Sequence, residues 1–199
     1  GHELVPLLPV RQLATLLTQV EVHADGPACA SPTKPIGPAD DRRLVASPEP
    51  RRILELATIR LLVDAGVVVI CAGGGGIPVA ATPGGGFVGV EAVIDKDLSA
   101  ALLAEQLGAD ALLLLTDQPA VFADWPEPAR EPIREATPDE LRARDFEAGS
   151  MAPKVEAACR FAEQTGGVAV IGALADAVGM LAGEAGTRVR LRGRGASGP

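Results

Sequence analysis

The chain has 199 residues, 47% of them hydrophobic, enough for one sizeable core and for one domain or a little more. Its formal net charge of −8 argues against a protein that wraps nucleic acid, which needs a basic face. No apolar run reaches the length of a membrane span, so a soluble cytoplasmic protein is expected. Aromatic residues make up 3% and Tyr is absent, so the core must be built from Leu, Val, Ile and Ala. Cys29, Cys71 and Cys159 are widely spaced and form no C-x-x-C pair, so neither a disulfide framework nor a metal site is predicted. The chain opens on Gly1 and enters structured-looking sequence at once, which suggests that a segment precedes it.

In chain order, a buried strand is predicted over 14–22, and segment 24–48 reads as loop. Leu54, Ala57, Leu61, Leu62 and Ala65 form one apolar face of a helix over 50–65, with Gly66 as its stop. A strand at 67–71 follows, then a helix over 98–107 ending at Gly108, then a strand at 111–115. Segment 117–136 reads as loop. Thr137-Pro138-Asp139-Glu140 is a capping box with Pro at the first helical position. The helix over 153–165 turns Val155, Ala158, Cys159 and Ala162 inward and ends at Gly166–Gly167, which makes Cys159 a core thiol. A last apolar run covers 168–171. Arg188, Arg190, Arg192 and Arg194 alternate, as on the solvated face of a terminal strand, and 193–199 reads as a disordered tail. Strands alternating with helices predict a mainly parallel sheet covered on both faces, with ligands at the carboxyl ends of its strands.

The chemistry should therefore follow the apolar runs. The strand at 67–71 leads directly into Gly73, Gly74, Gly75 and Gly76. Glycines let backbone N–H groups approach an anion, although a tight turn would also account for them. The loop is neither a Walker A sequence nor a dinucleotide fingerprint: no G-K-[ST] follows, and Pro78 and Val79 fall where a third Gly should be. Of 18 basic residues, fifteen are Arg and only Lys34, Lys96 and Lys154 are Lys. Lys154 lies in the first turn of a helix, where a cation opposes the macrodipole unless a phosphate sits beside it; chance placement is the alternative. With only His2 and His23 and no G-x-S-x-G motif, a Ser/His/Asp hydrolase is disfavoured. Phosphoryl transfer to an acceptor that is already anionic needs no strong base. Lysines, glycine N–H groups, Mg²⁺ and one organising carboxylate such as Asp97 would suffice.

These motifs together resemble carbamate kinases, within the amino acid kinase family. The matching stretches are TLLTQV at 15–20, PTKPIGP at 32–38, SPEP at 47–50, ICAGGGGIPV at 70–79, GVEAVIDKD at 89–97, LTD at 115–117 and GSMAPKVEAA at 149–158. The resemblance implies a three-layer αβα sandwich with a mainly parallel sheet, a homodimer, and the reaction ATP + carbamate ⇌ ADP + carbamoyl phosphate in arginine breakdown. By motif, Lys96 and Lys154 contact the transferring phosphoryl oxygens, Asp97 organises them, and Lys34 reaches the substrate. Gly73–Gly76 line the phosphate region. Thr116, Asp117 and Val121 approach the nucleoside, and Ser150 and Met151 its ribose or phosphate side. Mg²⁺ is carried by the nucleotide. On this reading residues 1–192 are the C-terminal, nucleotide-binding part of the domain.

The sequence also departs from the family. The G-G-N and H-G-N-G-P loops of the acyl-substrate site are absent, so roughly the first hundred residues of a family member are expected to be missing. Only Ala39–Ala46 stand where the family carries a small protruding subdomain, which puts the placement of Lys34 in question. A nucleotide-binding remnant without catalysis is therefore the alternative. A kinase for another acidic acceptor, such as an N-acetylated amino acid, is disfavoured by PTKPIGP. A cut sheet would leave a strand edge and apolar faces exposed, so aggregation or dependence on a partner is expected.

Overall fold

The computed structural model describes residues 12–32, 34–38, 41–123, 131–146 and 150–192. The chain divides into two compact units, Gly1–Leu103 and Ala104–Pro199, and the division falls within a helix. The proposed tail at 193–199, with Arg194, lies outside the described residues.

In the first unit the single strand expected over 14–22 is two strands. Strand β1 (Leu13–Thr15) pairs in parallel with Val68–Ile70, and β2 (Gln19–Glu21) pairs in parallel with the start of Ile77–Ala81. The break at Leu16–Thr18 has a physical cause. The Thr18 carbonyl accepts the Ile77 N–H and so opens the pairing of β2 with Ile77–Ala81, while its hydroxyl accepts the Ala72 N–H from the loop that follows Val68–Ile70, so the chain leaves one partner strand and joins another here. Apolar patterning alone does not register such a break.

Within 24–48, read as loop, lie a short helix α1 (Pro27–Ala30) and a hairpin of β3 (Lys34–Ile36) with β4 (Arg43–Val45). Three-residue strands, one containing Pro35, are too short to show periodicity. Strand β5 (Arg52–Ile53) occupies the start of the helix expected over 50–65, because it pairs with β2, and helix α2 runs only over Leu56–Asp64. Its inward face is also corrected. Ile59 is buried, whereas Leu61 is 69% exposed and Ala57 and Ala65 are exposed. The segment is apolar nearly all round, so periodicity could not choose its buried side. Strand β6 (Val68–Ile70) follows, then a hairpin of β7 (Ile77–Ala81) and β8 (Phe87–Gly89), completing a sheet ordered β5-β2-β7-β8. Helix α3 (Lys96–Leu107) begins two residues before the predicted start, and Gly108 (φ +70°) follows its end.

The second unit is organised by β13 (Val168–Ala173), which pairs in parallel with β9 (Ala111–Thr116) over six residues and antiparallel with β14 (Thr187–Val189). Segment 117–136, also read as loop, contains the paired strands β10 (Val121–Phe122) and β11 (Pro132–Ile133), and β12 (Glu135–Ala136), which extends the sheet beside β14. Helices α4 (Pro138–Arg142), α5 (Met151–Thr165) and α6 (Ala177–Ala182) complete the unit. The Met180 sulfur of α6 lies where a Cβ on Gly172 would reach it, and α5 also packs on β13. Ala169 and Ile171 alternate with Val170 and Gly172, and all four are buried, so both faces of β13 are covered. This is the predicted three-layer arrangement.

The capping box of α4 forms as predicted: Glu140 N–H donates to Thr137 Oγ1 at 3.3 Å, and Thr137 N–H to Glu140 Oε2 at 2.9 Å. Arg142 ties α4 to α5 with a two-pronged bond to Glu163 and a 3.2 Å bond to Glu156. Cys159 is fully buried, and burial pushes its thiol up to about 11, as suits a core residue. Arg190 and Arg192 pair with Glu135 and Glu140, neutralising much of the arginine row.

Candidate functional site

In the first unit the site is built from the loop between β6 and β7. Strands β1 and β6 run in register to Thr15 and Ile70, and β2 and β7 resume at Gln19 and Ile77. Three residues of one segment, 16–18, thus face six of the other, 71–76, and the surplus is the glycine loop. Gly75 and Gly76 are required by packing. Their φ values are +128° and +89°, and a Cβ would lie 2.3 Å from the Ile94 carbonyl oxygen and 2.3 Å from Val20 Cγ2, respectively. Gly74 differs. Its φ is ordinary, it is exposed, and a Cβ there would meet open space. Nothing in the fold requires a glycine at 74. Among the described residues, the N–H groups of Gly74 and Gly76 donate to no acceptor, whereas those of Gly73 and Gly75 bond to Cys71 and Ala72.

Two of the three lysines belong to this unit and sit on carboxylates at the start of α3. Asp95 is the N-cap: its Oδ1 accepts the N–H groups of Asp97 at 2.9 Å and Leu98 at 3.3 Å. Its other oxygen accepts Lys34 Nζ at 3.0 Å. Burial disfavours the charged carboxylate of Asp95. The Lys34 ammonium and the two N–H groups outweigh burial and hold the group below the ordinary carboxylate range. Lys34 is therefore placed by a hairpin and an ion pair despite the short 39–46 connection. Lys96 Nζ lies 3.2 Å from the buried carboxylate of Asp97. Ser99, on the same helix, donates from Oγ to the Gly75 carbonyl at 2.7 Å, joining α3 to the glycine loop.

In the second unit the candidates follow β9 and open α5. Thr116 ends β9 and donates from Oγ1 to Asp117 Oδ1 at 3.0 Å. Val121 is fully buried, and its N–H donates to Thr187 Oγ1 at 2.8 Å, so its side chain and N–H are already occupied within the unit. Ser150 is the N-cap residue of α5 and Met151 its first residue. Lys154 lies in the opening turns of α5 and is only 8% exposed, unusual for a lysine. Thus Lys34, Lys96, Asp97 and Gly73–Gly76 belong to the first unit, and Thr116, Asp117, Val121, Ser150, Met151 and Lys154 to the second.

Sequence reasoning passed over Thr18, Asp95 and Ser99. Asp95 carried a signal, an Asp immediately before a helix start. Thr18 interrupts two apolar runs, and Ser99 carried no signal. Among the described residues no group of three His, Cys, Asp or Glu side chains could hold a metal. No helix there is long and apolar enough to cross a membrane.

Fold and site together define the class: an α/β protein with a glycine loop after a parallel strand and lysines set against carboxylates. Known proteins narrow it. Residues 10–172 match the amino acid kinase family. The carbamate kinase of Haemophilus influenzae is 46% identical over 98% of this chain and 71% of its own length. That of Rhizobium meliloti is 49% identical over 94% of the chain and 65% of its own. The structure of a Giardia lamblia carbamate kinase bound to AMP-PNP superposes with TM-score 0.85 at 37% identity, covering 95% of this chain and 65% of that one. The chain belongs to the amino acid kinase family, and the carbamate kinases are its relatives within it. It spans about two thirds of the length of those relatives.

Proposed function

We propose that the protein is a carbamate kinase, interconverting ATP + carbamate and ADP + carbamoyl phosphate, as a cytoplasmic homodimer in arginine catabolism. The observation that carries this reading is the use of lysine. The three lysines of the chain sit on Asp95, beside Asp97, and buried in α5, in a protein whose cations are otherwise all arginine. The γ-phosphoryl bond to ADP breaks as a bond to a carbamate oxygen forms, and no proton moves because the acceptor is already an anion. Lys96 and Lys154 neutralise charge developing on the transferring oxygens, and Asp97 holds Lys96 in position. Lys34 binds the carbamoyl side. The N–H groups of Gly74 and Gly76 take phosphate oxygens. Thr116 and Asp117 border the nucleoside, and Ser150 and Met151 its ribose or phosphate side; Val121, buried and bonded to Thr187, supports that segment from within the unit and does not touch the nucleoside. Mg²⁺ accompanies the nucleotide and lowers the charge on its phosphates.

The second reading is a nucleotide-binding module without turnover, since these 199 residues hold neither a G-G-N nor an H-G-N-G-P loop. One experiment separates the two. Purified protein is mixed with carbamoyl phosphate, Mg²⁺ and ADP, and ATP is measured beside Lys96→Ala. ATP formation that falls by about 10²–10³ in the variant supports the kinase. ADP binding that Lys154→Ala weakens, with no ATP from a folded chain, supports the module. Failure to bind ADP at all sinks both.

A further inference from the structure

We propose that Thr18 and Ser99 are positioning residues that set the backbone of the glycine loop before any anion arrives; this rests on the reading of that loop as the phosphate-lining segment. Among the described residues, Ala72 is the one non-glycine with a positive φ, +60°. That conformation is strained for an L-residue and persists only where its surroundings impose it. Thr18 imposes it. The residue is 3% exposed, and its Oγ1 accepts the Ala72 N–H at 2.8 Å while donating to the Leu16 carbonyl at 3.2 Å. Its own carbonyl accepts the Ile77 N–H at 2.8 Å. One buried residue thus grips both ends of the loop.

Ser99, fully buried, grips the middle through the Gly75 carbonyl. Across a planar trans peptide the N–H of Gly76 points opposite to that carbonyl, so Ser99 also fixes the direction of a donor that has no acceptor among the described residues. Ser99 follows Asp97 by two residues on α3, so the same hydroxyl ties the loop to the turn that carries Lys96 and Asp97.

The test uses the full chain, with ADP and Mg²⁺ as the probe. Thr18→Val keeps the shape and removes the hydroxyl, leaving the Ala72 N–H unsatisfied; Thr18→Ser restores the hydroxyl. The expected result is ADP binding weakened about tenfold or more in Thr18→Val, faster amide exchange at Ala72, and recovery of both in Thr18→Ser. Ser99→Ala is the second variant, should Thr18→Val not fold, and is expected to weaken ADP binding with faster exchange through the loop. A parent chain that binds ADP, with folded variants that bind it equally well, overturns the positioning role alone. A parent chain that does not bind ADP overturns the loop reading and this role with it.

Discussion

The two units stabilise themselves differently. The second concentrates its large, fully buried side chains, among them Phe161, Leu141, Ile171 and Met180, around a strand paired on both edges. The first has Ile53, Ile59, Ile94 and Val20, around β2 and β7, which are likewise paired on both edges; open apolar side chains occur in both units, Leu17 at 84% and Leu61 at 69% in the first, Val178 at 83% and Leu174 at 68% in the second. Their buried polar groups differ in place: the first unit buries Thr18, Asp97 and Ser99 around the glycine loop and the start of α3, whereas the second buries Lys154 in α5 and Thr187 in β14. Packing energy scales with buried area and tolerates small shifts. A buried hydrogen bond depends on geometry and is costly to leave unmade. A loop held by such bonds keeps its N–H groups in fixed directions, as the proposed phosphate contact requires.

Substitutions can break or sharpen this contrast. The largest stability loss is expected from Phe161→Ala, about 3–5 kcal/mol in denaturant unfolding, with amide exchange rising first in β9 and β13. A loss below 1 kcal/mol would show that the second unit is not core-dominated. Gly75→Ala comes next, at about 2 kcal/mol or more, because a Cβ at φ +128° would run into the backbone oxygen of Ile94. Exchange should then rise across 72–77, and unchanged exchange would mean that the loop has other supports. Thr137→Ala removes the α4 cap and should cost about 1 kcal/mol in the same unfolding measurement.

Asp95→Asn keeps an oxygen for the α3 cap but loses the Lys34 charge pair, for less than about 1 kcal/mol. The sign follows from the depressed carboxylate. The contribution is present above the ordinary Asp value, about 3.9, and is lost as pH falls through the lower folded value. The difference between parent and variant in unfolding measurements should therefore shrink progressively as pH is lowered from 7 to below about 3.9; a difference that stays constant with pH would discount the ion pair. The smallest stability effect, within about 0.5 kcal/mol, belongs to Gly74→Ala, since nothing in the fold opposes a Cβ there. Its ADP affinity should nonetheless fall in calorimetry, because the added methyl would occupy the proposed phosphate approach. Unchanged affinity would leave that glycine without a role.

Local chemistry was legible wherever a residue type announces its own geometry. The Thr137–Glu140 capping box, the Gly66, Gly108 and Gly166 stops (all at positive φ), the strand read at 111–115 (observed as Ala111–Thr116) and the rarity of lysine could all be read directly. The divided 14–22 strand, the short hairpins in 24–48 and 117–136, and the buried face of α2 could not. Each is decided by which distant segment supplies the hydrogen bonds or the neighbouring surface, and three-residue strands carry too little pattern to show it. The sequence by itself determined the family, the alternation of strands with helices, and the residue types able to hold a phosphate. Only the tertiary structure decided that Asp95 grips Lys34, that Thr18 and Ser99 grip the glycine loop, and that Gly74 is left open. Those are contacts across 61, 54 and 24 positions of chain, whose partners no local pattern encodes.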